Sequence, residues 1–138
     1  MRILLLAGLL FAAASSAHAA VDLRLYGINI DWDPNGNLWH LSDKTCNKSS
    51  VNSGSILYEF QLYQGAIKGG TPIKIGGFRS DKPISPDKCR AHNSFPVKVH
   101  LSKVPPGEYK IALFIGEYDG TNYTGDVKYV LPQTFIKR

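Results

Sequence analysis

The chain has 138 residues and a formal net charge of +5, with 43% hydrophobic and 20% charged residues. This length suits one domain with a single hydrophobic core. The basic residues are scattered singly from Arg24 to Arg138, without the clusters that follow a phosphate backbone, so we exclude nucleic acid as the expected partner.

Residues 1–19 have the features of a cleaved signal peptide. Arg2 supplies the positive charge, and the uncharged run from Ile3 to Ala14 is shorter than the roughly 20 apolar residues that a membrane-spanning helix needs. Ala17-His18-Ala19 has the small-x-small form that a signal peptidase accepts, so we place the cut after Ala19, with Ala20 as the near alternative. We therefore expect a secreted or periplasmic protein without a membrane anchor, whose single domain occupies residues 20–138.

The rest of the chain mostly alternates apolar and polar residues, which predicts β-strands with one buried face. The first alternation begins at Val21 and slips by one residue near Gly27, where a β-bulge would absorb the change. The long polar stretch from Leu41 to Asn52 leaves room for a strand after Trp39. Further strands are predicted where apolar residues alternate: Ile56/Tyr58/Phe60/Leu62, Ile73/Ile75, Phe95/Val97/Val99/Leu101, Tyr109/Ile111/Leu113/Ile115 and Val127/Tyr129/Leu131.

Turn-forming residues separate these strands, at Asp33–Gly36, Gly69–Pro72, Gly76–Gly77, Pro105–Gly107 and Asp119–Gly120. The chain shows no capped helical pattern. About seven short strands with turns between them, in a domain of roughly 100 residues, predict an all-β fold, an immunoglobulin-like antiparallel β-sandwich.

Cys46 and Cys89 are the two cysteines of the chain. In an oxidising compartment two cysteines most simply form one disulfide. The alternative is a metal site that includes Cys89 and His92, but a structural zinc site needs four ligands at recurring spacings. We predict the Cys46–Cys89 disulfide.

Three segments, SGSILYEFQLY at Ser53–Tyr63, VPPGEY at Val104–Tyr109 and EYDG at Glu117–Gly120, resemble a known family. They are similar to the immunoglobulin-like, cell-adhesion-related (CARDB-like) modules of secreted bacterial proteins, over residues 53–130. The resemblance implies a non-catalytic β-sandwich, usually appended to larger extracellular proteins and without a universal ligand. This chain differs from that pattern in carrying two cysteines.

Motifs for catalysis are weak. His40, His92 and His100 are the histidines after the predicted signal peptide, with His40 and His92 in loop-like segments and His100 facing outward. Neither a G-x-S-x-G nucleophile elbow nor an H-E-x-x-H zinc motif occurs. Asp and Glu pairs stand beside predicted turns, where such side chains bond backbone N–H groups, at Asp31/Asp33, Asp81/Asp87 and Glu117/Asp119. We expect no enzyme, and a small secreted hydrolase is the alternative from another class.

Two predicted turns each carry a pair of aromatic side chains, Trp32 and Trp39 at one turn and Tyr118 and Tyr123 at the other. If the turns share one end of the sandwich, the four rings form a platform for a sugar or a protein. The alternative, which we favour, is that one tryptophan fills the core between the sheets. The expected function is a binding or interaction module with a protein or glycan partner. The alternatives are a carbohydrate-binding module that uses these aromatics and an inhibitor or structural partner of a larger exported protein.

The segment Asp31–Gly36 reproduces the D-x-D-x-N-G opening of a calcium loop. Asp31, Asp33 and Asn35 stand at alternate positions and can direct three oxygens to one centre. Position twelve of such a loop, where a bidentate Glu completes the ligands, is Ser42. We therefore expect a structural type I turn and no cofactor, with a weak calcium site as the alternative.

The first prediction concerns export. Mass spectrometry of the protein recovered outside the cytoplasm should show an N-terminus at Ala20 or Val21, because Ala17-His18-Ala19 precedes the cut. An exported chain that still begins at Met1 would contradict cleavage.

Overall fold

The alternating sequence forms seven antiparallel strands in two sheets, which confirms the predicted β-sandwich. The computed structural model describes residues 21–138, and the predicted signal peptide lies outside them. Among these residues, no helix is long and apolar enough to cross a membrane. The strands are β1 (Leu23–Asp31), β2 (Leu38–Asn47), β3 (Ile56–Tyr63), β4 (Ile73–Ser80), β5 (Cys89–Lys98), β6 (Gly107–Tyr118) and β7 (Tyr123–Lys137).

One sheet has the order β1-β2-β5 and the other the order β4-β3-β6-β7. In a constant-type immunoglobulin domain the fourth strand completes the first sheet. Here β4 pairs instead with β3, so the second sheet is the larger one. The strands β3 and β6 lie in its interior and are paired along both edges.

The turn predicted at Gly76–Gly77 is wrong, because both glycines lie inside β4. A Cβ at Gly76 would lie 2.2 Å from the carbonyl oxygen of Lys98, and a Cβ at Gly77 would lie 2.2 Å from that of Tyr58. Glycine is therefore required here by the close approach of neighbouring backbone, not by a change of chain direction.

The polar stretch after Trp39 does form a strand, β2, with its inward positions at Asp43, Thr45 and Asn47 all buried. β5 covers Cys89–Lys98, so the strand predicted from Phe95 to Leu101 starts too late and also ends too late. The interpretation of His40 and His92 as loop residues is also wrong, since His40 lies on β2 and His92 on β5. Inward-facing polar residues interrupt the apolar alternation that sequence reading depends on.

Register shifts occur in several strand pairs, and two of them bear on the predicted alternation. Gly27, with a φ of 59°, lies in the predicted bulge of β1, between Tyr26 and Asn29. A second bulge in β7 separates Val127 from Tyr129, which were predicted to share one face. Val127 pairs with Phe114 on the outer face of the sheet, whereas Tyr129 packs against the core.

Trp39 lies fully buried at the centre of one end of the core. Its ring centroid is 5.4 Å from that of Phe60 and 6.5 Å from that of Phe135. Its indole Nε1 donates a hydrogen bond of 2.9 Å to the carbonyl oxygen of Asp33, which fastens the β1–β2 turn to the core. Trp39 is therefore the tryptophan that the sequence analysis expected to fill the core between the sheets.

Tyr109, near the start of β6, forms a tyrosine corner. Its hydroxyl donates a hydrogen bond of 2.7 Å to the carbonyl oxygen of Pro105. A tyrosine at this point, bonded to backbone a few residues upstream, is a hallmark of immunoglobulin-like sandwiches. The VPPGEY segment therefore serves to anchor the connection into β6.

The predicted disulfide between Cys46 and Cys89 is confirmed. The two residues are direct partners in the β2–β5 ladder, so the bridge joins neighbouring strands of one sheet. In antibody domains the bridge instead joins the two sheets.

Reduction of this disulfide should destabilise the protein. The bridge spans a sequence separation of 43 residues, for which the chain-entropy model gives about 4 kcal/mol. A loss of that size should lower the melting temperature by about 10 °C or more. Calorimetry with and without reductant measures the shift, and the Cys46→Ser/Cys89→Ser variant should be insensitive to reductant. Equal melting temperatures for oxidised and reduced protein would contradict the prediction.

Candidate functional site

The outer face of the four-stranded sheet carries an open trough of about 920 Å³. It exists because β3 alternates strictly and sends Leu57, Glu59, Gln61 and Tyr63 to the face opposite the core. The trough is completed by residues of the β3–β4 connection and of the strands on either side: Ile67, Lys68, Pro72, Lys74, Phe114, Asn122, Tyr123, Gly125, Asp126 and Val127.

A hydrogen-bonded ladder runs along β3 in the trough. The Tyr63 hydroxyl donates to Gln61 Oε1 at 2.8 Å, and Gln61 Nε2 donates to Glu59 Oε1 at 2.8 Å. Tyr63 and Gln61 are buried, whereas Glu59 is half-buried. Burial raises the pKa of Tyr63 and the nearby Glu59 carboxylate raises it further, so this phenol keeps its proton to a higher pH than a free tyrosine does. The ladder fixes the orientation of the Glu59 carboxylate.

Aromatic rings occupy the end of the trough near the β6–β7 turn. The Tyr123 hydroxyl is 2.9 Å from Ser55 Oγ, and its ring centroid is 5.2 Å from that of Tyr118. The guanidinium carbon of Arg79 lies 5.9 Å from the Tyr123 ring centroid, within the range of a cation–π contact. A Cβ at Gly116 would lie 2.9 Å from the Phe114 ring, so the absence of a side chain there leaves room for this ring.

The residues that line the trough include two cations, Lys68 and Lys74, and two anions, Glu59 and Asp126. The ammonium group of Lys128 lies 3.2 Å from Asp126, so the charge of that carboxylate is already paired. Glu59 is therefore the anion that a ligand on the floor of the trough meets.

A second cluster of polar side chains lies between the sheets, on the other side of β3. His92 Nδ1 is 2.7 Å from Asp43 Oδ1, and the side chain of Asp43 has no solvent exposure. The Thr45 hydroxyl donates to Asp43 Oδ2, and the Tyr58 hydroxyl donates to Thr45 Oγ1 at 2.9 Å. The rings of Tyr58, Phe78 and Phe95 all contact the imidazole of His92, so side chains from β2, β3, β4 and β5 enclose the cluster.

An aspartate bonded to a histidine Nδ1 is the orienting half of a catalytic triad. In a triad the nucleophile hydroxyl is bonded to the second imidazole nitrogen of the histidine. Here, within residues 21–138, the hydroxyl groups of Thr45 and Tyr58 are instead bonded on the Asp43 side of the pair. The same residues contain no buried side-chain nitrogen or oxygen without a partner. We interpret the cluster as a structural network that satisfies Asp43 in the core.

The four aromatic side chains that the sequence suggested as one platform lie in two separate pairs. Trp32 lies 6.0 Å from Trp39 and 6.1 Å from Phe135, measured between ring centroids, and this pair belongs to the core. Phe135 is paired with Tyr109 near the start of β6, whereas Tyr118 ends that strand. The tryptophans and the Tyr118/Tyr123 pair therefore lie at opposite ends of the sandwich, and of the four only Tyr123 lines the trough.

The three calcium candidates lie in and beside the β1–β2 turn. Asp33 Oδ1 accepts a hydrogen bond of 2.9 Å from the Asn35 backbone N–H, and Gly36 N–H donates to the Asp33 carbonyl oxygen at 3.2 Å. Asp31 lies on β1, opposite His40 of β2. Within residues 21–138, no group of three or more His, Cys, Asp or Glu side chains is arranged to hold a metal ion. The carboxylate of Asp33 thus bonds within the β1–β2 turn, in which Asp33 and Gly36 are joined by the backbone hydrogen bond of a β-turn.

Sequence reading did not select Glu59, Gln61, Tyr63 or Lys74. The alternation of β3 marks its inward residues as core and carries no information about what lies over its outer face. One signal is present in the sequence: Ala112 and Phe114 are apolar residues at outward positions of β6.

Comparison with known proteins gives a distant structural likeness alone. No family model matches the chain, and no curated protein matches it. A crystal structure of a protein from Archaeoglobus fulgidus matches with a TM-score of 0.37 and 10% identity, over 86% of this chain and 98% of that one.

Ionisation of Tyr58 should weaken the fold at high pH. Burial, reinforced by the charge of Asp43, raises its pKa from 10.0 to about 12. The unfolded chain then loses this proton first, so the stabilisation is complete below pH 10 and is lost as the pH rises to about 12, by about 3 kcal/mol. Urea unfolding from pH 8 to 12 should show a steeper loss for wild type than for Tyr58→Phe.

Tyr26 offers the matched control, since its side chain is 45% exposed. The Tyr26→Phe variant should follow the wild-type curve. Parallel curves for wild type and Tyr58→Phe across this range would show that Tyr58 does not carry the effect.

Proposed function

We propose that this protein is an exported, non-catalytic binding module whose ligand occupies the trough on the four-stranded sheet. The observation that carries the proposal is the ordered ladder of Tyr63, Gln61 and Glu59 inside a concavity of about 920 Å³. Ligand sites of proteins have volumes of about 300–1,000 Å³, with apolar and aromatic walls and a few oriented polar groups. The trough has these properties.

Export is supported by the disulfide, which indicates an oxidising compartment, and by the signal-like residues 1–19. We place the protein in the periplasm or outside the cell. Kinship to CARDB-like modules is proposed from the motifs in residues 53–130, among which VPPGEY supplies the Tyr109 corner.

The non-catalytic character is supported by the separation of the two polar clusters. Tyr58 and the Asp43–His92 pair face the core, whereas Glu59 faces the trough, because neighbouring residues of a strand point to opposite faces. A ligand in the trough therefore lies across the sheet from the histidine. Gln61, the centre of the ladder, carries an amide that does not titrate.

The trough can be tested with a steric block. Val127 lines it, and Val51, which is 42% exposed in the loop before β3, does not, so Val127→Arg and Val51→Arg form a matched pair. Protein purified after expression of residues 1–138 is applied to immobilised glycans, peptides and lipid vesicles, and the captured class is then titrated. We expect Val127→Arg to weaken binding by about tenfold or more, and Val51→Arg to change it by less than about twofold.

The proposal is contradicted in either of two ways. One is that none of the immobilised classes captures the wild-type protein. The other is that Val127→Arg, with a melting temperature like that of wild type, binds as tightly as wild type.

A further inference from the structure

The floor of the trough offers side chains but no free backbone. β3 is paired with both β4 and β6, and β6 is paired with both β3 and β7. A peptide that binds by strand addition needs the unpaired edge of a sheet. The floor of the trough lies across the interior strands, so it contacts a ligand through side chains.

The polar groups of the floor suit hydroxyl groups. In the ladder, Gln61 donates to Oε1 of the Glu59 carboxylate. Each carboxylate oxygen can accept about two hydrogen bonds, so Oε2 can accept one from a ligand hydroxyl. Lys74 and Asn122, which are exposed on the walls, supply donors and a further acceptor. Gln61 is a positioning residue, since it is buried and holds the carboxylate in place.

Aromatic rings supply apolar surface beside these polar groups. Phe114 lies on the floor opposite Glu59 in the β3–β6 ladder, and Tyr123 stands at the end of the trough. Both side chains are half-buried, so part of each ring faces the ligand space. A sugar ring presents hydroxyl groups at its edge and C–H groups on its faces, and it can contact the carboxylate and a ring together.

Charge restricts the ligand further. Glu59 is the charged group on the floor, and its carboxylate would repel an anionic sugar bound against it. A ligand without charge avoids this repulsion.

We infer that the ligand of the trough is a neutral oligosaccharide, bound with its hydroxyl groups on Glu59 and with a sugar face on Phe114 or Tyr123. The inference rests on the proposed function, because it names the ligand class of the same site. It assigns the aromatic contact with the sugar to the outer face of the four-stranded sheet, whereas the sequence suggested Trp32 and Trp39 for that contact.

The test uses ¹⁵N-labelled protein expressed from the full chain and three kinds of probe. These are neutral hexasaccharides (cellohexaose, maltohexaose and xylohexaose), the anionic hexagalacturonic acid, and an unstructured polar nonapeptide. We expect at least one neutral hexasaccharide to shift the amide signals of trough residues, with a Kd of about 1 mM or tighter. Hexagalacturonic acid and the peptide should leave these signals in place.

Two trough variants and one control variant assign the contact. Glu59→Leu should weaken binding of that hexasaccharide by about tenfold or more, whereas Glu108→Leu, on exposed β6 surface outside the trough, should change it by less than about twofold. Lys74→Ala provides a second trough variant, at an exposed position where folding is not at risk, and should weaken binding by about threefold.

The outcomes separate this inference from the proposed function. Trough signals that respond to the anionic probe or the peptide, and not to neutral sugars, overturn the saccharide inference but leave a binding trough. If no probe shifts these signals and the immobilised arrays also capture nothing, both proposals fail. A sugar that shifts only signals outside the trough overturns the saccharide inference as well.

Discussion

The two-residue period of β3 is the constraint on which the rest of the structure depends. Its inward residues, Tyr58 and Phe60 among them, fill the core, while Glu59 and Gln61 form the floor of the trough. A shift of one residue in its pairing would exchange the faces and bury the carboxylate of Glu59 among apolar side chains. Because β3 is paired on both edges, the shift would disturb β4 and β6 together.

The two ends of the core are held by different interactions. Around Trp39 the contacts are between aromatic rings, and a single indole hydrogen bond to Asp33 closes that end. At the opposite end, Asp43 is buried by bonds to Thr45 and His92, which lie on two strands of the same sheet. The disulfide joins these two strands close by. Apolar burial dominates one end, and a satisfied polar network with a covalent link dominates the other.

A binding site on interior strands has a physical advantage. The backbone beneath it is fixed by ladders on both sides, and the Gln61 amide holds the Glu59 carboxylate in place. Little conformational entropy is therefore lost when a ligand binds. The same arrangement leaves the floor of the site without free backbone groups for its ligand. Affinity would then rest on a few side chains, which is why substitutions at Glu59 and Val127 are informative.

Local sequence determined the alternating part of most strands, the bulge of β1 at Gly27 and the pairing of Cys46 with Cys89. Each of these follows from alternation or from counting. Tertiary structure alone decided that β4 joins β3, that Gly76 and Gly77 lie in a strand, and that His92 meets Asp43 across 49 residues of sequence. The trough belongs to this second group, because Glu59, Lys74 and Asp126 come from three strands. Alternation reports which face of a strand is buried. It contains no information about which strands become neighbours, because that choice is made by contacts between distant parts of the chain.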